Sequence, residues 1–337
     1  MMLVCNSFRS RLCAAVLLVV AAVCVQPYLM SQEKAAAQYT EEEYKMMEEI
    51  KAQSDPAQKT ALVVKFFKAY PKSGLSEYVL GDFVTAMSKL QQAQKWSELT
   101  SLCRQVVSFA PGNQYINAYL AEGYRQTKNM KGFAEFGEQA YARNPNERLA
   151  YSLAKAYLEL GNVQKFVQWG ETAVAKMPEA YDIMVDLVKQ FSAMRQNAKA
   201  EKYARQCIKV LQGMTKAPEG MSDADWKKYA DYAYATCYYV IGDNAQQAGK
   251  YDVAVSNLQN SVKYYKRNDA AYYFLGQAYW QLRQLGPAMM NFAKAYLLNG
   301  STSAAARQHL ENLYKQTHNN TLTGMDKIIA RAEEELK

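Results

Sequence analysis

The sequence predicts an all-α protein whose helical hairpins stack into a right-handed superhelical solenoid. Three observations support this prediction. Glycine and proline are sparse, with 16 and 8 in 337 residues, whereas Ala, Leu, Lys, Gln and Glu are plentiful, which favours helix. Apolar residues recur every three or four positions, as on an amphipathic helix. A proline-terminated pattern also returns with a period near 34 residues, which indicates stacked repeats.

The period is seen in the spacing of prolines and in matching segments. Pro111, Pro145 and Pro178 lie 34 and 33 residues apart. The segments GFAEFGEQA, from Gly132, and KFVQWGETA, from Lys165, precede the last two prolines. Further along, equivalent small residues are separated by 34 positions, namely Gly242 and Gly276, Ala254 and Ala288, and Ser261 and Ala295. A single hairpin cannot bury its apolar stripe, so stacking is required.

These segments resemble the tetratricopeptide repeat family over roughly residues 40–302. One unit has a small residue and an aromatic in its first helix, Gly276 and Tyr279, and an alanine, an aromatic and a second alanine in its second helix, Ala288, Phe292 and Ala295. Three other units share parts of the pattern: Gly242, Gly249, Ala254 and Ser261; Ala154, Tyr157, Gly161, Ala173 and Pro178; and Ala121, Tyr124, Ala140 and Pro145. The resemblance implies a superhelix with a concave inner surface that binds proteins.

Two units depart from the family pattern in the same way. Phe133 and Phe166 stand where the family has a small alanine, and Gly137 and Gly170 follow four residues later, where it has an aromatic. Because residues four apart are neighbours on a helix, we expect total side-chain volume to be conserved and Phe166 to be buried.

The repeat register divides the chain into successive parts. We expect a divergent N-terminal hairpin over 39–79 and tetratricopeptide-like repeats over 80–215, of which 181–215 lacks a turn glycine. A long helix capped by Ser222 and Asp225, with two strong repeats, occupies 216–302. Capping helices follow over 303–337, the last one started by Thr323 and Asp326.

The N-terminus has the pattern of a secretory signal. Arg9 and Arg11 precede the uncharged apolar run Leu12–Val25, and Ala35–Ala37 offer small residues for cleavage. We therefore predict a signal peptide over 1–37 and a periplasmic or secreted protein. The alternative is an uncleaved anchor over 12–30 that attaches the protein to a membrane, although Gln26 and Pro27 interrupt it.

Charge and cysteine content exclude some classes of partner and leave one question open. The net charge of +8 is spread along the chain without a long basic run, so we expect no nucleic-acid binding. Beyond the leader the chain keeps Cys103, Cys207 and Cys237. Three cysteines cannot all pair within one chain, and buried thiols are favoured, with a Cys207–Cys237 disulfide as the alternative.

No catalytic or metal-binding motif is present, so we expect a non-enzymatic protein with no cofactor and no metal. The two histidines, His309 and His318, lie nine residues apart in the C-terminal cap without a neighbouring cysteine. An enzyme or sensor in that cap is the least favoured hypothesis. Nucleophile elbows, phosphate-binding glycine loops and zinc-protease motifs are absent from the sequence.

The resemblance instead implies a protein- or peptide-binding groove lined by the first helix of each repeat. By register, the candidate residues are Tyr115, Arg125, Tyr151, Lys155, Lys189, Tyr239, Tyr273, Gln277 and Trp280. Chaperone-binding relatives hold a C-terminal carboxylate with a lysine and an asparagine, but this chain has Val84 and Ser88 at those positions. We therefore do not expect it to bind chaperones in that way. We therefore expect a scaffold of the cell envelope that binds a peptide or helix, or alternatively a structural subunit of an outer-membrane, secretion or pilus assembly complex.

Overall fold

A computed structural model describes residues 39–337, so the predicted signal peptide and the alternative anchor lie outside the described residues. The described part contains sixteen α-helices and no strand. The first eight are α1 Glu41–Ala52, α2 Pro56–Ala69, α3 Ser76–Gln92, α4 Trp96–Val106, α5 Gln114–Gln126, α6 Met130–Arg143, α7 Glu147–Glu159 and α8 Val163–Lys176. The others are α9 Tyr181–Ala193, α10 Asn197–Gly213, α11 Asp223–Gln247, α12 Tyr251–Tyr264, α13 Asp269–Gln281, α14 Leu285–Leu297, α15 Ser303–Thr317 and α16 Met325–Leu336.

The helices pair into hairpins that stack in chain order, which confirms the predicted all-α solenoid. From α1 to α15 each helix packs on the next one along the chain, whereas α16 packs on α14. The first helices of successive hairpins also touch in the pairs α1–α3, α3–α5, α7–α9, α9–α11 and α11–α13. The second helices from α4 to α12 make no comparable contact with one another. The first helices are therefore the more closely spaced layer and form the inner surface of the curve.

A residue with left-handed backbone ends the first helix of each middle hairpin. These residues are Gln94, Lys128, Gly161, Arg195, Gly249 and Arg283. The residue after each donates its N–H back to the helix, as from Gln196 to the Phe191 carbonyl at 2.8 Å, which satisfies a helix-end carbonyl. The unit 181–215, which lacks the expected turn glycine, makes the same turn with Arg195, at φ 56°.

Helix ends agree with the sequence at most positions and differ at two. Ser222 caps the 25-residue helix α11, since its Oγ accepts the Asp225 N–H at 3.1 Å. However, α3 begins at Ser76, so the boundary expected between 79 and 80 falls inside a helix.

The cap predicted for the last helix is wrong. Helix α16 begins at Met325, after Gly324, which has left-handed backbone at φ 93°. The Thr323 hydroxyl lies 3.0 Å from that of Thr321, and the Thr323 carbonyl accepts from the Tyr314 hydroxyl at 2.9 Å. Thr323 therefore belongs to the preceding turn, which the glycine closes.

The buried core consists of several clusters, and the two largest are separated at α5 and α6. One cluster extends from Met47 to Tyr124, and the next from Ala134 to Ile241, with the partly buried Phe133 packed against both. Smaller clusters follow at the C-terminal end. As expected, Phe166 is fully buried.

The space left at the glycines is filled from the next hairpin. A Cβ on Gly170 would lie 3.0 Å from Leu187, and one on Gly137 would lie 2.8 Å from Leu153. The two phenylalanine-for-alanine changes are therefore balanced by leucines of the following first helix, which enter the space that an aromatic would occupy.

Two further features bear on chemistry and location. Cys103, Cys207 and Cys237 are buried free thiols, and burial raises the pKa of Cys103 to about 12. Among the helices of residues 39–337, none combines the length and apolar character needed to cross a bilayer.

Candidate partner-binding surface

The inner surface of the solenoid carries the predicted binding residues in three separate groups. Tyr115 and Arg125 lie on α5, both exposed. Tyr151, Lys155 and Lys189 meet across α7 and α9. Tyr239, Tyr273, Gln277 and Trp280 lie on α11 and α13. The structure thus brings together neighbours in the stack rather than all nine residues.

The central group is an ion-pair network that joins two hairpins. The Tyr151 hydroxyl donates to Oδ2 of Asp182 at 2.5 Å, and Lys155 Nζ lies 2.7 Å from the same oxygen. Asp186 accepts from Lys189 at 3.2 Å and lies 3.6 Å from Lys155 Nζ. Burial and the hydrogen bond to Asp182 raise the pKa of Tyr151, so its hydroxyl remains a donor.

This network changes the role of two predicted residues. Tyr151 and Lys155 hold α7 against α9 and do not project freely into the groove. Sequence analysis missed both acceptors, Asp182 and Asp186, because the predicted groove residues were almost all aromatic or basic. Register could have found Asp182, which is the second residue of α9 just as Tyr115 is the second residue of α5.

An aromatic cluster continues this surface towards the N-terminal part of α11. Tyr181 contacts the rings of Trp226 and Tyr229 edge-on, with centroids 5.2 and 5.5 Å apart. Tyr232 follows, 6.4 Å from Tyr229 and 47% exposed. Trp226, Tyr229 and Tyr232 precede the part of α11 that carries the repeat pattern, so the repeat register could not place them.

The C-terminal group is uncharged and largely occupied by packing. Gln246 donates to the Gln277 side-chain carbonyl at 2.9 Å, which links α11 to α13. The Tyr273 hydroxyl lies 3.2 Å from Nε2 of His309, and Trp280 meets the same imidazole edge-on, with ring centroids 5.5 Å apart. Burial raises the pKa of Tyr239. These side chains mostly contact one another within the protein and leave little surface available to a partner.

The two histidines differ from each other in environment. His309, expected at the surface or a helix end, is half-buried among aromatic rings, and burial lowers its pKa. His318 is exposed at the end of α15 and stacks on Tyr314, with ring centroids 3.8 Å apart. Within residues 39–337, no group of three or more His, Cys, Asp or Glu side chains is arranged to hold a metal ion.

A cleft of about 770 Å³ opens between α5 and α7 beside the central network. We call it the inner cleft. Arg125, Tyr151 and Lys155 line it together with Met130 and Phe133 of α6. A cleft of this size, lined by both apolar and charged side chains, is large enough to receive side chains of a bound molecule.

Comparison with known proteins identifies the repeats. The tetratricopeptide repeat family model matches residues 111–181 and 239–304. No curated protein sequence matches the chain significantly.

Similar solved structures have low sequence identity. MamA (residues 41–end) from Desulfovibrio magneticus RS-1 is 15% identical, with 56% of this chain and 93% of that one covered and a TM-score of 0.39. A tetratricopeptide repeat protein from Parabacteroides merdae is 13% identical, with 74% and 97% covered and a TM-score of 0.38. The C-terminal part of a TPR repeat-containing protein from Cytophaga hutchinsonii is 12% identical, with 75% and 93% covered and a TM-score of 0.41. At these scores the likenesses carry no information on partners.

The family match covers the hairpins on both sides of the aromatic cluster, and the described helices outside it continue the same stack. Repeats of this kind typically form non-enzymatic protein–protein interaction scaffolds. Residues 111–181 and 239–304 are therefore tetratricopeptide repeats.

Proposed function

We propose that the protein binds an extended or helical segment of another protein along its inner surface. The observation that supports this proposal most directly is the exposure of large aromatic side chains there. Tyr115 is 54% exposed on α5 and Tyr232 is 47% exposed on α11. Tyrosines supply contact area at low entropic cost and are enriched among residues that dominate binding energy.

The fixed geometry of the surface between these tyrosines supports the same proposal. The bonds of Asp182 to Tyr151 and Lys155 hold α7 and α9 in one arrangement before any partner arrives. A preorganised surface loses less conformational entropy on binding than a mobile one. The ion pairs thus contribute by positioning the groove, and exposed neighbours provide the contacts.

A capture experiment tests the groove. Immobilised wild-type protein, a Tyr115→Ala/Tyr232→Ala variant and a Tyr265→Ala variant are incubated with native cell extract, and retained proteins are quantified by mass spectrometry. Tyr265 is a matched control, being 52% exposed at the end of the second helix α12. We expect at least one protein to be retained by wild type and control but lost from the double variant. Equal recovery of all proteins by the three baits would contradict binding at the inner surface.

We also propose that the protein acts in the cell envelope. The support is the basic and apolar pattern of residues 9–25. Residues 1–60 fused to alkaline phosphatase, which is active only after export, test the location. We expect activity from this fusion and none after Leu17→Arg/Val20→Arg. An inactive native fusion would place the protein inside the cell without affecting the proposal on the groove.

A further inference from the structure

We infer that the inner cleft is an anchor pocket for a bulky apolar side chain of an amphipathic partner helix, with Lys or Arg next to the anchor contacting Glu159. This inference rests on the proposed function and specifies the partner segment. It is drawn from the packing gap at the cleft, from its apolar floor and from the charge of its rim.

The cleft exists because two inner helices are spaced apart. First helices of neighbouring hairpins touch in the pairs α3–α5, α7–α9, α9–α11 and α11–α13, but α5 and α7 make no comparable contact. The buried core is also divided here, into one cluster that ends at Tyr124 and another that begins at Ala134. The cleft therefore lies where neighbouring first helices make little contact and where two core clusters meet.

The floor of the gap is apolar. Phe133 lies partly exposed between the two core clusters, and Met130 lies beside it, while Ala118, Ala121 and Ala156 form low walls. A second cavity of about 600 Å³ opens behind the first and shares Ala121, Phe133 and Ser152 with it. An apolar side chain that enters from the inner surface would cover Phe133 and contact both core clusters, which is favourable because it removes apolar surface from water.

The rim of the cleft is selective because its charges are unequally paired. Arg125 is paired with Glu122, and Lys155 is paired with Asp182 and Asp186. Glu159, at the end of α7, is exposed and makes no ion pair within residues 39–337. The rim thus leaves one carboxylate to attract a cation, while its basic groups are already neutralised.

The length of the cleft accommodates about two turns of a partner helix. Its residues on α7 run from Tyr151 to Glu159, which is about 12 Å along a helix axis. Two apolar residues four positions apart on a partner helix are about 6 Å apart along its axis, and a basic residue one turn further would reach Glu159. Methionine on the floor adapts to anchors of different shape.

Synthetic helical peptides provide the direct test. Three fluorescent 15-residue peptides are titrated into the purified protein: one with a leucine face flanked by lysines, one with alanines in place of those leucines, and one with glutamates in place of the lysines. We expect the leucine–lysine peptide to bind at least about tenfold more tightly than the alanine peptide, because removal of a buried apolar anchor costs much of the binding energy. We expect it to bind about threefold more tightly than the glutamate peptide, because an exposed charge pair at the rim contributes less.

Four variants then locate the binding. Ala118→Trp, at an exposed position in the cleft, should weaken binding of the leucine–lysine peptide about tenfold. Gln91→Trp, also in the cleft, should have the same effect and is used instead if Ala118→Trp unfolds at a lower temperature than wild type. Ala175→Trp on the second helix α8 is the matched control and should bind as wild type. Glu159→Lys should reverse the preference, so that the glutamate peptide binds more tightly than the lysine peptide.

The inference is overturned if none of the peptides binds, or if Ala118→Trp and Gln91→Trp bind the leucine–lysine peptide like wild type. Failure of the inference is distinguishable from failure of the proposed function. If Ala118→Trp still captures the native partner that Tyr115→Ala/Tyr232→Ala loses, the groove functions without the inner cleft. If both variants capture every protein that wild type does, both proposals fail.

Discussion

The ring of Phe292 packs directly over the backbone of Gly276, so that a Cβ on the glycine would lie 2.6 Å from Cδ1 of the phenylalanine. The same relationship joins Gly242 to Leu258 in the preceding hairpin, again at 2.6 Å. In both hairpins the missing side chain of the first helix is what lets the large residue of the second helix come close.

Gly276→Ala should therefore destabilise the protein although alanine favours helix. Overpacking against Phe292, which is fully buried, costs about 1–3 kcal/mol, which exceeds the gain of about 1 kcal/mol in helix propensity. The free energy of unfolding from urea melts checks this. Gly81→Ala in α3, where no atom lies within 4 Å of the new Cβ, should instead stabilise by about 0.5–1 kcal/mol. Equal effects of the two changes would show that the contact at Gly276 does not matter.

Phe166→Ala should be among the most costly single substitutions. Phe166 is fully buried, whereas Phe133 at the equivalent position of the previous hairpin is partly exposed in the gap between the core clusters. We expect a loss of about 3–5 kcal/mol for Phe166→Ala and about 1–2 kcal/mol for Phe133→Ala, in proportion to burial. Denaturant melts of both variants measure the difference. A loss below about 1 kcal/mol at Phe166 would contradict the packing described.

Sequence reasoning succeeded for the features that depend on local periodicity. Helix spacing, the turn glycines Gly161 and Gly249, and the burial of Phe166 follow from the repeat and are seen in the structure. Tyr151, Lys155 and Lys189, which the register assigns to first helices, lie on α7 and α9. Each of these depends on chemistry within one hairpin or between equivalent positions of neighbouring hairpins.

What sequence reasoning missed depends on contacts that the repeat does not encode. Asp182 is bonded to Tyr151 of the previous hairpin, so its role appears only when α7 and α9 are side by side. Trp226 lies in the part of α11 that precedes the repeat. The cleft between α5 and α7 depends on the spacing of two particular first helices, which a pattern inferred from the regular units could not predict.

Arg195→Gly should stabilise the protein. Arg195 is exposed and has left-handed backbone at φ 56°, where Gly161 performs the same turn in the previous hairpin at φ 68°. A residue with a Cβ pays about 1–2 kcal/mol in this conformation, and the greater flexibility of glycine in the unfolded chain cancels part of the gain. We expect a net increase of about 0.5–1 kcal/mol in thermal or urea melts. Gly161→Ala is the reciprocal control and should lose about 1 kcal/mol. If both changes are neutral, the turn conformation differs from the one described.

Mild acid should loosen the C-terminal end of the solenoid through His309. The imidazole is half-buried between Tyr273, Trp280 and Phe292, with its ring centroid 5.2 Å from that of Phe292, and burial lowers its pKa below the value in an unfolded chain. Because the unfolded chain then binds the proton more readily, the contribution of neutral His309 is complete above about pH 6.5 and is lost as the pH falls through the two pKa values.

The measurement is the unfolding free energy of wild type and of His309→Gln between pH 7.5 and pH 5. Each pH unit between the folded and unfolded pKa values lowers wild-type stability by at most about 1.4 kcal/mol relative to the variant. Parallel pH profiles for wild type and His309→Gln would mean that the imidazole is accessible to water and that α15 does not close over it.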